Sequence, residues 1–306
     1  MSAILPRLTL GPLLFHWPAE RKRDFYARIA DEAALDTVYI GEVICSKRAP
    51  FSEPLYPELI ERLQRGGKTV VFSSLAEVML KRERAMAAAL VEWDIEVEAN
   101  DAAALFHLSG RPHRIGALFN TYNEATMRYL AVRGGTHFSL PSELPREAVA
   151  ALAATGRELA VGVEVQVFGR ASLALSARCY HARAHGRTKD NCQFVCEEDA
   201  DGMELRTIEG APWLAVNGVQ TLSHAYLCLL SEAPELAALG VTDLRLSPHG
   251  LDMVEVAALF RAVLAARMAA GEAEARLRET SNIPAFANGF WHGRAGHLDV
   301  RRLDPV

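Results

Sequence analysis

The feature that most constrains the fold of this sequence is a regular alternation of short apolar runs with amphipathic helical patterns. The apolar or β-branched runs predict eight strands, at Leu8–Phe15, Thr37–Cys45, Thr69–Ser73, Asp94–Asn100, Arg114–Asn120, His137–Leu140, Leu159–Phe168 and Leu244–Ser247. Between most of them lie Ala-, Glu- and Arg-rich segments with apolar residues three to four apart, at Ala19–Leu35, Pro57–Gly66, Leu75–Leu90, Asn123–Arg133 and Pro145–Thr155. Strands that alternate with helices in this way are typical of βαβ units and predict a parallel sheet.

Eight predicted strands in 306 residues suit an α/β fold of the (β/α)₈ TIM-like barrel type. The alternative is a doubly wound open sheet, but no glycine-rich nucleotide-binding turn follows the first predicted strand. We therefore predict that residues 1–306 form a single (β/α)₈-like domain.

The alternation stops between about residues 170 and 243. This stretch is rich in Cys, His and Arg, and it continues into Met203–Ile208 and Trp213–Val216, which have the pattern of a small β-hairpin. We predict that residues 170–243 form a Cys-rich insertion between strands 7 and 8 of the barrel.

Composition argues against several classes of function. The chain is 50% apolar and 23% charged, as in ordinary globular proteins, and its formal net charge of −5 gives no basic footprint for nucleic acid. It contains no run of about 18 apolar residues, so we expect no membrane span. The N-terminus lacks the charged start and apolar run of a secretory signal. We expect a cytoplasmic location, where thiols stay reduced.

The cysteines are the residues that most strongly indicate chemistry. Cys179, Cys192 and Cys196 fall in one short region with the spacing C-x₁₂-C-x₃-C, and Cys45 lies at the carboxyl end of the second predicted strand. Barrel strands present their carboxyl ends on one face, so Cys45 can converge there with the later cysteines. The fifth, Cys228, has the apolar neighbours of a helix core, and we leave it out of the site.

Four converging thiols leave two kinds of metal site open. A [4Fe–4S] cluster takes four thiolates and accepts a remote fourth ligand. A structural zinc ion also takes four cysteines, although zinc ribbons usually pair two short C-x₂₋₄-C knuckles and only one short pair occurs here. Spacing alone favours the cluster only slightly.

Four stretches of the sequence resemble the peptidase U32 family. Glu164-Val-Gln-Val-Phe-Gly169, followed by Ser176-Ala-Arg-Cys179, is similar to the family signature, in which a strand leads into a Ser-Gly-Arg-Cys segment. The segments around Cys45, around Asn120 and around Trp291 resemble the branch of the family that acts in ubiquinone biosynthesis without oxygen. The resemblance extends over essentially the whole chain.

This resemblance implies a [4Fe–4S] cluster held at Cys45, Cys179, Cys192 and Cys196. It also implies a heterodimer with a UbiU-like sister subunit, and ring hydroxylation of a prenylated phenol presented by a sterol-carrier-like lipid-binding protein. The sequence departs from the wider family in one respect: Arg170–Ala177 lacks a cysteine that other members carry. The fourth ligand is therefore expected from elsewhere, and Cys45 is the obvious candidate.

Glu42 and Glu164 lie near predicted strand ends beside the cysteines and are weak candidates for catalytic proton transfer. Either carboxylate is more commonly a structural ion-pair partner. Lys47 and Arg48 flank Cys45, and positive charge there would stabilise thiolates and an anionic cluster. The loop histidines His181, His185, His249 and His292 could be ligands or acid–base groups, although a lone loop histidine is usually neither.

Two functions from different classes follow. The first is a cluster-containing component of an oxygen-independent hydroxylase. The second is a U32-type peptidase or other hydrolase, or a zinc-stabilised binding subunit. The sequence has neither a G-x-S-x-G elbow nor an H-E-x-x-H pair, which makes proteolysis the less expected activity.

Overall fold

In the computed structural model, which describes residues 5–302, the chain forms a closed barrel of eight parallel strands surrounded by helices. The strands of the described residues are β1 (Arg7–Leu10), β2 (Thr37–Ile40), β3 (Thr69–Ser73), β4 (Glu96–Ala99), β5 (His113–Ile115), β6 (Gly135–Leu140), β7 (Gly162–Leu175), β8 (Met203–Arg206), β9 (Pro212–Asn217), β10 (Gln220–Cys228), β11 (Asp243–Leu246) and β12 (Phe286–Ala287). Parallel pairing runs from β11 through β1 to β7 in order, and β7 pairs with β11 to close the barrel.

The helices connect successive strands along the outside of the barrel. They are α1 (Ala19–Glu32), α2 (Ala49–Ser52), α3 (Tyr56–Arg65), α4 (Lys81–Ala89), α5 (Ala102–Leu108), α6 (Glu124–Val132), α7 (Arg146–Leu159), α8 (Tyr180–Ala184), α9 (Ala233–Leu239), α10 (Met253–Leu264) and α11 (Ala270–Thr280). Short 3₁₀ helices occur at Ser46–Arg48, Glu53–Leu55, Leu90–Glu92, Ala117–Phe119, Val195–Glu197 and Val300–Arg302.

The predicted (β/α)₈ barrel is confirmed. Both faces of its strands are buried, one by the barrel interior and the other by the surrounding helices. All four residues of β2 and of β11 are buried, because the inward face packs in the barrel and the outward face packs against helices. Within residues 5–302, no helix is long and apolar enough to cross a membrane.

The second strand is shorter than the sequence suggested, and this difference positions the candidate site. The predicted strand continued to Cys45, whereas β2 ends at Ile40 and the chain turns at Gly41. Gly41 has a φ of +125°, and a Cβ there would lie 2.3 Å from the carbonyl oxygen of Ser73. Only glycine fits this close approach to the neighbouring strand. Glu42 to Cys45 therefore lie in a loop above the carboxyl end of the barrel.

Between β7 and β11 the chain forms a small antiparallel sheet beside the barrel. The strand β7 runs on past the barrel to Leu175, and β10, β9 and β8 add to it in turn by antiparallel pairing. The β8–β9 hairpin lies where the sequence pattern predicted one. The sequence predicts a helix core around Cys228. This prediction is wrong, because Cys228 is the last residue of strand β10. Its run of buried apolar neighbours is equally compatible with a strand buried on both faces.

Candidate metal centre

Four cysteines from three parts of the chain line one small cavity beside the carboxyl end of the barrel. Cys45 comes from the loop after β2, and Cys179 is the residue that caps the N-terminus of α8. Cys192 and Cys196 come from the loop and the 3₁₀ turn that follow α8. The side chains of Cys179 and Cys196 are buried, while those of Cys45 and Cys192 are partly exposed. The convergence of Cys45 with the later cysteines is thus a property of the fold.

The backbone between Cys192 and Cys196 has an uncommon conformation. Gln193 and Phe194 have φ values of 48° and 54°, in the left-handed region that non-glycine residues seldom adopt. The turn is closed by the amide N–H of Val195, which donates to the carbonyl oxygen of Cys192 at 3.2 Å. Two consecutive left-handed residues cost free energy, and such strain is concentrated at ligand sites, where the surrounding structure holds it.

Arg48 is the fully buried cation beside the thiols. Its guanidinium donates to the carbonyl oxygen of Leu14 and to Oδ1 of Asn217, both at 2.9 Å, and its side chain is 1% exposed. Burial raises the pKa of the thiols of Cys45 and Cys196, and the charge of Arg48 opposes that rise. The thiols of Cys45 and Cys196 are therefore protonated near neutral pH, and binding of a metal must release their protons.

Further hydrogen-bond donors are directed at the sulfur atoms. The ammonium group of Lys47 lies 3.6 Å from Sγ of Cys192, and it also donates to the backbone carbonyls of Lys189 and Asp190. The amide N–H of Ala182 donates to Sγ of Cys179 at 3.4 Å. Donors and positive charge around sulfur stabilise the thiolate form and an anionic metal centre.

The spacing of the sulfur atoms distinguishes between kinds of metal site. A tetrahedral zinc ion with Zn–S bonds of about 2.3 Å would hold its sulfurs about 3.8 Å apart. Across residues 5–302, no three of the cysteine sulfurs lie within 4.8 Å of one another. A [4Fe–4S] cluster spreads the four thiolates over separate iron atoms, so this wider arrangement suits it better.

One other group of ligand-type side chains does meet that spacing, namely His137, Glu164 and Asp243. This group lies inside the barrel. The carboxylate of Asp243 forms an ion pair with the guanidinium of Arg7 at 2.8 Å, and that of Glu164 forms one with Arg245 at 2.5 Å. Because guanidinium groups already neutralise both carboxylates, this group stabilises the barrel by ion pairing and has no vacant carboxylate for a cation.

An aromatic cluster adjoins the cysteine cavity at Phe194, which lines it. The ring of Phe194 packs edge-to-face on Phe51 with centroids 4.8 Å apart, and the ring of His16 lies 5.7 Å from that of Phe194. Burial lowers the pKa of His16 to about 4, and the charges of Arg48 and Lys22 add to the effect. His16 is therefore neutral in the folded protein at neutral pH and packs as an uncharged ring in this aromatic cluster.

The low pKa of His16 predicts acid destabilisation. Between pH 6.5 and 4 the unfolded chain binds a proton at His16 and the folded protein does not. The free energy of unfolding is therefore unaffected by His16 above pH 6.5 and decreases as the pH falls through this range. From pH 7 to pH 4.5 we expect His16 alone to lower the free energy of unfolding by about 2 kcal/mol. Urea denaturation of wild type and His16→Phe at both pH values measures this. An equal pH dependence in the two proteins would contradict it.

The segment after Cys196 is fixed by three contacts to separate elements. His181 bonds to Asp199 at 2.8 Å, the indole N–H of Trp17 donates to the carbonyl of Ala200 at 2.6 Å, and the His249 ring faces Asp201 at 3.3 Å. His181 and His249 are buried and paired with aspartates, so they hold the cysteine loop in place and do not serve as ligands here. Sequence reasoning missed Asp199 and Asp201; only their positions, three and five residues after Cys196, could have pointed to them.

The two candidate carboxylates occupy different environments. Oε1 of Glu42 accepts the amide N–H groups of Ile44 and Cys45 at 3.1 and 3.0 Å, so this residue shapes the turn that presents Cys45. The sequence predicts Glu164 near a strand end beside the cysteines, whereas the structure places its side chain inside the barrel. It is the third residue of β7, fully buried in the barrel and paired with Arg245.

The comparison with known families agrees with this architecture. The family model described as peptidase family U32 matches residues 23–301, which is nearly the whole chain. The matched region includes all four cysteines of the cavity and every strand of the barrel except β1. On this match, the chain belongs to peptidase family U32.

Proposed function

We propose that this chain is a UbiV-like iron–sulfur subunit required for oxygen-independent hydroxylation in ubiquinone biosynthesis. The observation that carries the proposal is the convergence of Cys45 with Cys179, Cys192 and Cys196 on one cavity. In this proposal the four thiolates hold a [4Fe–4S] cluster, and the protein acts in the cytoplasm.

The spacing of the cysteine sulfurs supports a cluster over a zinc ion. The four sulfurs are spaced more widely than one tetrahedral zinc ion requires. Lys47 and Arg48 place two positive charges against the thiols, which stabilises an anionic metal–thiolate centre of either kind. Phe194 lines the cavity and packs edge-to-face on Phe51, which gives the site an apolar side wall.

When bound, such a cluster would supply one-electron transfer. The residues of this chain would hold it, neutralise its charge and shield it from solvent. Ring hydroxylation would then require the partners that the proposal includes, a UbiU-like sister subunit in a heterodimer and a sterol-carrier-like protein that presents the prenylated phenol.

The form of the hydrolase alternative that uses a histidine base finds little support in the geometry. Nucleophilic catalysis needs a serine, threonine or cysteine within hydrogen-bond reach of a base. In the part of the chain that the structure describes, no such side chain is hydrogen-bonded to a histidine. Four of the buried histidines pair instead with aspartates or with a backbone group, namely His137, His181, His249 and His113.

The proposed function predicts a specific rescue. In a bacterium that lacks its own UbiV and is grown without oxygen, this chain should restore ubiquinone, measured by extraction and chromatography. The variant Cys228→Ala should restore it as well, whereas Cys45→Ala should leave ubiquinone at the level of the empty vector. Full rescue by Cys45→Ala, or no rescue by wild type when a UbiU-like partner is supplied with it, would refute the proposal.

A further inference from the structure

An apolar cavity of about 300 Å³ lies between α3, β3 and α4, on the side of the barrel next to the Cys45 loop. Three aromatic rings form one of its walls. Phe72 stacks on Trp93 with centroids 4.3 Å apart, and Tyr56 packs edge-on against Phe72 at 5.5 Å. Its volume is at the lower end of the range for small-molecule pockets, which are mostly apolar and carry a few fixed polar groups.

The cavity reaches the surface. Glu53, Pro57 and Ala89 line it and are exposed, whereas Leu75 and Ala87, which also line it, are buried. A ligand could therefore enter from solvent and bury its apolar part among the aromatic and aliphatic side chains.

The charged groups on the cavity wall are all carboxylates, namely Glu42, Glu53 and Glu83, within the described residues. Both oxygens of Glu83 are occupied, one by the hydroxyl of Ser46 and the other by the amide N–H groups of Met79 and Leu80. The lining holds no basic group that would neutralise an anionic ligand. The charge of Glu42 is already opposed by the buried cations Lys22 and Arg48, so an ammonium group gains little there, and an uncharged ligand is favoured.

Glu42 offers a buried carboxylate oxygen that remains able to bind a ligand. Its Oε1 accepts both backbone N–H groups of the Cys45 turn, and its Oε2 makes no hydrogen bond to any described residue. The side chain is only 7% exposed, so a donor that reached Oε2 would form a largely desolvated, charge-assisted hydrogen bond.

We propose that this cavity binds an uncharged, mainly hydrocarbon molecule that carries a hydroxyl group, with the hydroxyl donating to Oε2 of Glu42. The hydrocarbon part packs on Phe72, Trp93 and Tyr56. Burial of apolar surface supplies most of the affinity, and the hydroxyl fixes the orientation.

The position of Glu42 connects this site with the cysteine cavity. The same carboxylate that faces the apolar cavity holds the amide of Cys45 at 3.0 Å. If the proposed function holds, the ligand is the phenolic substrate, and this identification rests on that proposal. Binding of the hydrocarbon alcohol does not depend on it.

The test uses the neutral fluorescent probe N-phenyl-1-naphthylamine, titrated into the full-length protein and displaced by 1-decanol, decanoate or decylamine. The variant Ala87→Phe fills the cavity from α4, and Ala85→Phe places the same side chain on the exposed face of the same helix, away from the cavity. We expect Ala87→Phe to raise the probe Kd at least about tenfold and Ala85→Phe to leave it within about twofold.

The three displacing molecules test the chemical class of the ligand. Decanol should displace the probe at concentrations at least about tenfold lower than decanoate or decylamine. In Glu42→Gln, which keeps an oxygen for the Cys45 turn but removes the charge, the disadvantage of decanoate should shrink about tenfold. Equal displacement by alcohol and acid, or stronger displacement by the amine, would overturn the assignment of an uncharged alcohol.

Iron content and thermal unfolding, measured on the same samples, separate the two proposals. Unchanged probe affinity in a folded Ala87→Phe protein overturns the cavity proposal, whatever the iron content. A wild-type protein that binds the probe as expected but lacks iron supports the cavity proposal and refutes the cluster.

Discussion

Replacing Cys45 with alanine is expected to reduce bound iron from about four atoms per chain to less than about one, with loss of the brown colour. Cys45 would supply one of the four thiolates. The fifth cysteine, Cys228, does not line the cavity and could not replace it as a ligand. The measurement is iron and acid-labile sulfide on protein purified without oxygen, together with its visible spectrum.

Cys228→Ala is the matched control for this prediction. Cys228 is fully buried at the end of β10 among apolar residues and outside the cysteine cavity, and burial raises the pKa of its thiol to about 12. It should keep the iron content of wild type and lose only a modest amount of stability. Equal iron in wild type and Cys45→Ala would remove Cys45 from the ligand set.

The second large effect is expected inside the barrel, at Arg245. Its guanidinium pairs with Glu98 at 2.6 Å and with Glu164 at 2.5 Å, and these two carboxylates are 1% and 0% exposed. Burial alone would raise the pKa of Glu164, but the charge of Arg245 holds it below its usual value. Arg245→Met leaves both carboxylates without their cation and should lower the free energy of unfolding by about 3–5 kcal/mol.

Arg28→Met is the control for Arg245→Met, because it removes the same charge from an exposed pair. Arg28 is 49% exposed and contacts Glu32 and Asp252 at the surface, so its loss should cost less than about 1 kcal/mol. Urea denaturation at pH 7 measures both. Similar losses for the two variants would show that the interior ion pairs contribute no more than surface ones.

The barrel could be predicted from the sequence because its signal is local and repeated. Each short apolar run between helical patterns marks one strand, and β3 occupies the predicted residues Thr69–Ser73. A short apolar run alone does not distinguish a buried β strand from a buried helical segment. For this reason the sequence predicts a helix at Cys228, where the structure has the strand β10.

The candidate site could be predicted only in part. That Cys45 would approach Cys179 followed from the geometry of barrel strands, and the structure places them at one cavity. The position of Glu164 could not be inferred in the same way, because its inward direction depends on strand register and on Arg245, 81 residues later in the chain. The pairing of His249 with Asp201 likewise depends on tertiary contacts. The role of the cysteines as ligands remains a prediction.

The central claim is that the four cysteines hold a [4Fe–4S] cluster, and metal analysis of the wild-type protein tests it most directly. Protein purified without oxygen should contain about four iron and four sulfide per chain and show a broad brown absorbance that oxygen bleaches. A colourless protein that contains one zinc ion and is indifferent to oxygen would contradict the account.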